Sequence, residues 1–130
     1  MHPRRTFLAP LATLAVLILA GSVIPLGPAA SPATAHAAVV STVPARKAVL
    51  GYSPTEVTIT FSEPVTPVPG RAQVLAPDGK RINSGEPSVH GATLRIPIRV
   101  ADRPLGTYLV SYRVISADGH PVAGGYTFAV

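Results

Sequence analysis

The sequence has no cysteine and no tryptophan, and its one methionine is Met1. Without cysteine the chain cannot form disulfides, thiolate metal sites, a thiol nucleophile or a lipidated cysteine anchor. Aromatic residues are also scarce, at 5% of the chain, and the formal net charge of +5 is modest. Because the basic residues are scattered and not interleaved with aromatic residues, we do not expect nucleic-acid binding.

The first 35 residues have the organisation of an export signal. Arg4 and Arg5 precede an apolar run over residues 7–20, and a segment rich in proline, glycine and alanine continues to residues 33–35. A charged start, an apolar run and small residues at the cleavage point are typical of a signal peptide. The apolar run is shorter than the roughly 20 residues that a membrane-spanning helix needs.

We therefore predict a signal peptide over residues 1–35 and one exported domain over residues 36–130, with no membrane span after cleavage. Cleavage after Ala35 makes His36 the first residue of the mature chain. Residues 35–37 are themselves an Ala-x-Ala motif, and cleavage after Ala37 would remove His36.

The pattern of residues 36–130 predicts an all-β domain. Four segments alternate apolar and polar side chains, as strands with one buried face do: residues 57–62, 94–99, 108–114 and 126–130. The turn residues Pro77, Asp78 and Gly79 predict a hairpin that joins residues 73–75 to residues 81–82. No segment has a sustained helical period. About seven short strands without a helix indicate a Greek-key β-sandwich or small barrel.

Three histidines remain once residues 1–35 are removed: His36, His90 and His120. An N-terminal His36 would offer both its α-amine and its imidazole ring, which together can chelate one metal ion. A further imidazole from a distant loop would give a nitrogen-rich, tetragonal set of ligands, which favours Cu(II). The position of His36 is also compatible with a histidine placed there by chance.

The segment Asp118-Gly119-His120 follows a predicted strand that ends near Ile115. Asp-Gly is a common turn dipeptide, so a purely structural loop also explains it. In the functional interpretation, Gly119 turns the backbone so that the carboxylate of Asp118 and the imidazole of His120 converge on one ion. This pair would complement an N-terminal histidine and partly neutralise a divalent cation.

Other polar residues have weaker cases. Glu63 directly follows a predicted strand and is either an exposed acid, a further oxygen ligand, or an acceptor that orients a ligand imidazole. His90 lies in a predicted loop without a partner nearby in sequence and is interpreted as solvated. Ser116, Asp118 and His120 are too close together in one loop to form a hydrolase triad.

Taken together, these motifs make residues 36–130 resemble the CopC copper-resistance family of exported copper-binding proteins. Five segments carry the resemblance: residues 36–37, 41–45, 61–65, 106–108 and 113–121. The last segment, which contains the Asp-Gly-His motif, is the most specific, and its order relative to the N-terminal histidine also matches.

The resemblance implies a cupredoxin-like, immunoglobulin-like β-sandwich. It also implies that Cu(II) is bound by the α-amine and imidazole of His36, the imidazole of His120 and the carboxylate of Asp118, with Glu63 as a further candidate. Because such a site requires a free N-terminal histidine, the resemblance favours cleavage after Ala35.

The function implied by the resemblance is that of a non-catalytic copper(II) carrier or buffer in copper homeostasis or resistance. The protein would act in the periplasm, or on the outer face of the cytoplasmic membrane or cell wall. Besides the copper ion, the expected partner is a separate CopD-like membrane copper transporter, and we expect a monomer.

Two departures from the family pattern matter. Some members carry a second, methionine-rich site for Cu(I), whereas Met1 is the only methionine here and is lost with the signal. Binding of Cu(II) alone is therefore implied. Tyr112 stands where relatives usually have tryptophan, which we expect to change core packing more than metal chemistry.

Two other functions fit parts of the pattern. Copper held by an N-terminal histidine and a second histidine also resembles the histidine brace of polysaccharide-cleaving copper oxygenases, but those enzymes need a broad, usually aromatic, binding face on a larger scaffold. The second alternative is a structural immunoglobulin-like module without metal, in which the histidines are incidental.

Overall fold

A computed structural model of the chain describes residues 36–101 and 103–130. The predicted signal peptide lies outside the described residues. Within these two ranges all regular secondary structure is β-strand, and no helix there is long and apolar enough to cross a bilayer. The strands are β1 (Val39–Val43), β2 (Glu56–Phe61), β3 (Val65–Pro67), β4 (Gln73–Leu75), β5 (Ser88–His90), β6 (Thr93–Pro97), β7 (Thr107–Ser116) and β8 (Pro121–Ala129).

The strands form two antiparallel sheets. The first sheet has the order β1-β2-β6-β5. In the second sheet β7 pairs with three strands: with β8 along nearly all its length, with β3 near its C-terminal end and with β4 nearer its N-terminal end. The long β7–β8 hairpin is therefore the framework of the second sheet.

Alternating side chains from both sheets form one buried core. In β2, Val57, Ile59 and Phe61 are at most 2% exposed, whereas the threonines between them are partly exposed. The other large buried side chains are Val65, Val74, Ile82, Leu94, Ile96, Ile98, Tyr108, Val110, Tyr112, Val114, Tyr126 and Phe128. Since burial of one such side chain contributes about 1.5–3 kcal/mol, hydrophobic packing stabilises a domain that lacks disulfides. The predicted all-β sandwich is confirmed.

Local details of the prediction are partly confirmed. The hairpin at residues 76–80 is present: the Gly79 N–H donates to the Ala76 carbonyl oxygen at 2.9 Å, and Gly79 has a φ of 80°. The described part contains eight strands, close to the predicted number of about seven. His90, which we predicted to lie in a loop, is the last residue of the short strand β5.

Tyr112 packs in a way that requires a glycine on the neighbouring strand. Its ring meets the ring of Phe61 edge-on, with 5.6 Å between the ring centres. Gly124 is its register partner on β8, and a Cβ atom at Gly124 would lie 2.5 Å from the Tyr112 hydroxyl oxygen. The Tyr112 ring therefore covers the space that a side chain at position 124 would need.

Three segments outside the strands lie together at one end of the sandwich, which we call the site end. Val39 at the start of β1 pairs with Phe61 at the end of β2. Val65 at the start of β3 pairs with Ser116 at the end of β7. Consequently residues 36–38, the β2–β3 loop and the β7–β8 turn all reach the site end.

Candidate metal centre

The β7–β8 turn is a tight hairpin loop centred on a glycine. The Gly119 N–H donates to the Ser116 carbonyl oxygen at 2.9 Å, and the Ser116 N–H donates to the His120 carbonyl oxygen at 2.9 Å. Gly119 has a φ of 86°, in the left-handed region where a residue without Cβ avoids steric cost. This is the pattern of a three-residue hairpin loop with a left-handed glycine at its last position, and it puts Asp118 and His120 on either side of that glycine.

Within this turn the carboxylate of Asp118 is held in a defined orientation. Its Oδ1 accepts hydrogen bonds from the Ser116 hydroxyl and, at 3.1 Å, from the backbone N–H of His120. Its Oδ2 lies 3.1 Å from Nδ1 of His120. The Ser116 hydroxyl, followed by the His120 backbone N–H, lowers the pKa of Asp118 to about 2, because both donors stabilise the ionised carboxylate. The carboxylate is therefore ionised at neutral pH.

The second half of the site is the N-terminal arm, residues 36–38. Ala37 is 4% exposed and belongs to the core. The Ala38 N–H donates to the Ser62 hydroxyl oxygen at 2.9 Å, and the Ser62 N–H donates to the Ala38 carbonyl oxygen at 2.8 Å. These contacts fasten the arm to the end of β2 and leave the His36 side chain exposed at the site end.

The two halves bring three predicted ligands together. The imidazole rings of His36 and His120 have their centres 5.0 Å apart. One ligand atom from each of His36, Asp118 and His120 lies within 4.8 Å of the others. Two donors bound to one ion at about 2 Å each stand at most about 4 Å apart. The three donor atoms must therefore move closer to one another by less than about 1 Å to share one ion.

Glu63 is placed differently. It lies in the β2–β3 loop at the site end but is not one of the three clustered residues. Its Oε1 is buried and has no hydrogen-bond partner among the described residues. A buried acceptor without a donor is costly, so this oxygen is available to a ligand. A role for Glu63 as a metal ligand stays a prediction.

Two further polar residues, His90 and Ser116, differ in their relation to the site. His90 is exposed at the end of β5 and is not in the three-residue cluster. Ser116 was considered only as part of a triad, yet it is 4% exposed and contacts Asp118. The alternation of β7 contained a signal for this, because Ser116 continues the inward-facing series of Tyr112 and Val114. The contact between Ser62 and the N-terminal arm had no comparable sequence signal.

Comparison with known proteins identifies related sequences and structures for the described domain. Residues 39–130 match the family model described as the CopC domain. The chain is 32% identical over 121 residues to Copper resistance protein C of Escherichia coli, which covers 87% of this chain and 94% of that protein. It is 32% identical over 99 residues to Protein YobA of E. coli strain K12, covering 74% of this chain and 79% of that protein.

A longer relative matches over the same domain. Copper transport protein CutJ of Bacillus subtilis strain 168 is 29% identical over 101 residues, which is 74% of this chain but 18% of that protein. The match therefore concerns one part of a much larger relative.

Solved structures give the same assignment. The crystal structure of CopC from Methylosinus trichosporium OB3b has a TM-score of 0.64 at 28% identity, covering 73% of this chain and 93% of that one. The crystal structure of PcoC, a methionine-rich copper resistance protein from E. coli, has a TM-score of 0.57 at 27% identity, covering 74% of this chain and 99% of that one. The resemblance inferred from the motifs is thus confirmed, and the chain belongs to the CopC domain family.

Proposed function

We propose that the chain is an exported protein that binds one Cu(II) ion and carries or buffers it outside the cytoplasmic membrane. The observation that carries this proposal is the convergence of His36, Asp118 and His120 at the site end. These residues come from two segments more than 80 residues apart in the sequence, and neither segment has three donors of its own.

The donor set fits Cu(II) better than other copper states or harder ions. Two imidazoles and one carboxylate are borderline nitrogen and oxygen donors, and Cu(II) has the highest affinity for such sites among divalent first-row metals. The sequence has no cysteine, and its single methionine lies within the predicted signal peptide. Soft sulfur donors that would select Cu(I) are therefore missing from residues 36–130.

A free α-amine at His36 would complete the set with a fourth donor. The proposal requires cleavage after Ala35. Cleavage after Ala35 is supported by two contacts that keep residues 37 and 38 in the folded domain: Ala37 is buried, at 4% exposure, and Ala38 is hydrogen-bonded to Ser62. Cleavage after Ala37 would remove both a core residue and a candidate ligand.

In this proposal the copper ion is cargo and the protein is not an enzyme. Two of the clefts on the described domain, of about 360 and 460 Å³, are lined by other residues, including Arg113 in the first and Arg46 in the second. Neither cleft includes His36, Asp118 or His120, so neither offers a substrate pocket beside the candidate ligands.

The proposed location is the periplasm or the outer face of the cytoplasmic membrane or cell wall. A separate membrane copper transporter of the CopD type is the proposed partner. The match to a small part of a copper transport protein from B. subtilis supports this, because there a similar domain belongs to a longer chain.

The experiment is a competition titration with Cu(II) on the exported protein, with its N-terminus read by mass spectrometry. We expect a chain that begins at His36 and binds one equivalent of Cu(II) tightly. Tight Cu(II) binding by a mature chain that begins at Ala38, or no Cu(II) binding by the chain that begins at His36, would contradict the proposal.

A further inference from the structure

Two serine hydroxyls contact the two halves of the candidate metal centre. Ser116 is the single buried polar residue found in the described ranges, at 4% exposure. Ser62 is exposed and lies at the end of β2. A buried hydroxyl destabilises a protein unless it forms a hydrogen bond, so the presence of Ser116 at a core position calls for a physical reason.

The contacts of Ser116 supply that reason. Its hydroxyl donates to Oδ1 of Asp118. The hydroxyl oxygen of Ser116 also lies 2.9 Å from the carbonyl oxygen of His120. With Oδ1 occupied by Ser116 and by the His120 N–H, the carboxylate cannot rotate freely. Its second oxygen, Oδ2, is left on the side of the His120 ring, where a shared ion would sit.

Ser62 has the corresponding place in the other half. Its hydroxyl oxygen accepts the Ala38 N–H and its own N–H donates to the Ala38 carbonyl oxygen. These two bonds lie two residues beyond His36, so they fix the point from which the His36 backbone and side chain extend. Without the hydroxyl, one of the two bonds is lost and the arm can move away from β2.

We propose that Ser116 and Ser62 are positioning residues of the metal centre, Ser116 through the carboxylate of Asp118 and Ser62 through the backbone of the N-terminal arm. This inference rests on the proposed function. Neither serine contacts the ion. Each reduces the ordering that is needed when the ion binds, which is how groups around metal ligands strengthen metal binding.

The first test needs no metal. Amide hydrogen exchange is measured by NMR on the metal-free protein and its Ser62→Ala and Ser116→Ala variants. We expect exchange of the Ala38 amide to become about fivefold faster in Ser62→Ala, because the Ser62 hydroxyl that accepts its hydrogen bond is lost. We expect exchange of the His120 amide to become faster by up to about fivefold in Ser116→Ala, because its acceptor, Oδ1 of Asp118, is then no longer held by the Ser116 hydroxyl. The Phe61 amide, which donates to the Ala92 carbonyl oxygen, serves as an internal reference that should not change.

The second test is Cu(II) affinity by competition titration. We expect each serine variant to bind Cu(II) about tenfold more weakly, the lower end of the usual effect of such residues. Ser88→Ala on β5 and Ser111→Ala on β7 are the matched controls and should bind like the wild type. Ser62→Thr and Ser116→Thr keep a hydroxyl and should recover part of the affinity.

Double variants separate a positioning role from a general loss of stability. Ser62→Ala should have a smaller further effect when His36 is already alanine, because only the α-amine is then left for Ser62 to position, and Ser116→Ala should have little further effect when Asp118 is already asparagine. The continuous-wave EPR spectrum of Cu(II) should broaden in the single serine variants, because the ligands are then less uniformly placed. Thermal melting of the metal-free variants identifies any that do not fold, in which case the threonine variant decides.

The outcomes are distinguishable. Unchanged exchange at both amides, or serine variants that bind Cu(II) as tightly as a wild type that does bind it, would overturn the positioning role alone. A wild type that does not bind Cu(II) would contradict the proposed function, whatever the exchange experiment gives.

Discussion

The two halves of the candidate metal centre are built differently. The β7–β8 turn is held by hydrogen bonds among residues 116–120, all within four positions of one another. The N-terminal arm is held by Ser62, which is 24 residues away from Ala38 in the sequence, and by burial of Ala37. The turn therefore holds its ligands through local contacts, whereas the arm depends on the folded sandwich.

This difference has a consequence for binding. A turn whose carboxylate is already oriented gives up little conformational entropy when it binds an ion, whereas an exposed histidine near a chain end gives up more. We therefore expect the turn to be ordered before copper binds, whereas the exposed His36, which lies beyond the fastened residues Ala37 and Ala38, becomes ordered with the ion. Loss of copper should in turn begin with detachment of His36.

The largest expected effect comes from removing an imidazole from either half. His36→Ala and His120→Ala should each weaken Cu(II) binding by more than about 100-fold, equivalent to about 2.7 kcal/mol. His90→Ala, which changes an exposed histidine outside the cluster, is the control and should bind nearly as tightly as the wild type. Competition titration measures all three, and equal affinities would count against the proposed site.

An extra residue ahead of His36 tests the arm specifically. A mature chain that keeps Ala35 has the same side chains but an amide in place of the α-amine at His36. We expect Cu(II) binding at least about tenfold weaker, or about 1.4 kcal/mol, with an unchanged melting temperature of the metal-free protein. Affinity equal to that of the correctly processed chain would show that the amine is not a donor.

A substitution of Gly119 tests the turn specifically. Gly119 has a φ of 86° and no atom within 4 Å of a Cβ placed on it, so the cost of Gly119→Ala is conformational and should be about 1 kcal/mol of unfolding free energy. Gly119→Asn should cost less because asparagine tolerates this conformation. Gly51→Ala, where there is also space but no positive φ, is the control for denaturant unfolding. If Gly119→Ala were as stable as Gly51→Ala, the turn would not depend on its glycine.

The smallest expected effect is a pH dependence confined to the turn. The pKa of Asp118 is lowered to about 2, first by the Ser116 hydroxyl, so its contribution to folding is present above about pH 4 and is lost as pH falls towards 2. The melting-temperature difference between wild type and Ser116→Ala should therefore shrink over that range. The difference for Ser62→Ala should stay constant, because its bonds involve no carboxylate. A constant difference for both variants would contradict the role given to Ser116.

The same contrast explains what the sequence could and could not predict. The buried faces of β2 and β7 follow from alternation, and the Asp118-Gly119-His120 turn is a local motif, so both could be predicted. The strand β3 could not be predicted, because Pro67 within it and Pro64 and Pro69 beside it argue against a strand, which forms here by pairing with β7. The bond between Ala38 and Ser62 joins distant residues and appears only once the sandwich is assembled.

The central claim is that one Cu(II) ion shares ligands from both halves of the site. Pulsed EPR of the Cu(II)-loaded, correctly processed protein counts coordinated imidazoles through their remote nitrogen atoms. We predict two imidazoles in the wild type and one in His120→Ala and in His36→Ala alike. A wild-type spectrum without imidazole coupling, or one that neither substitution alters, would contradict the account.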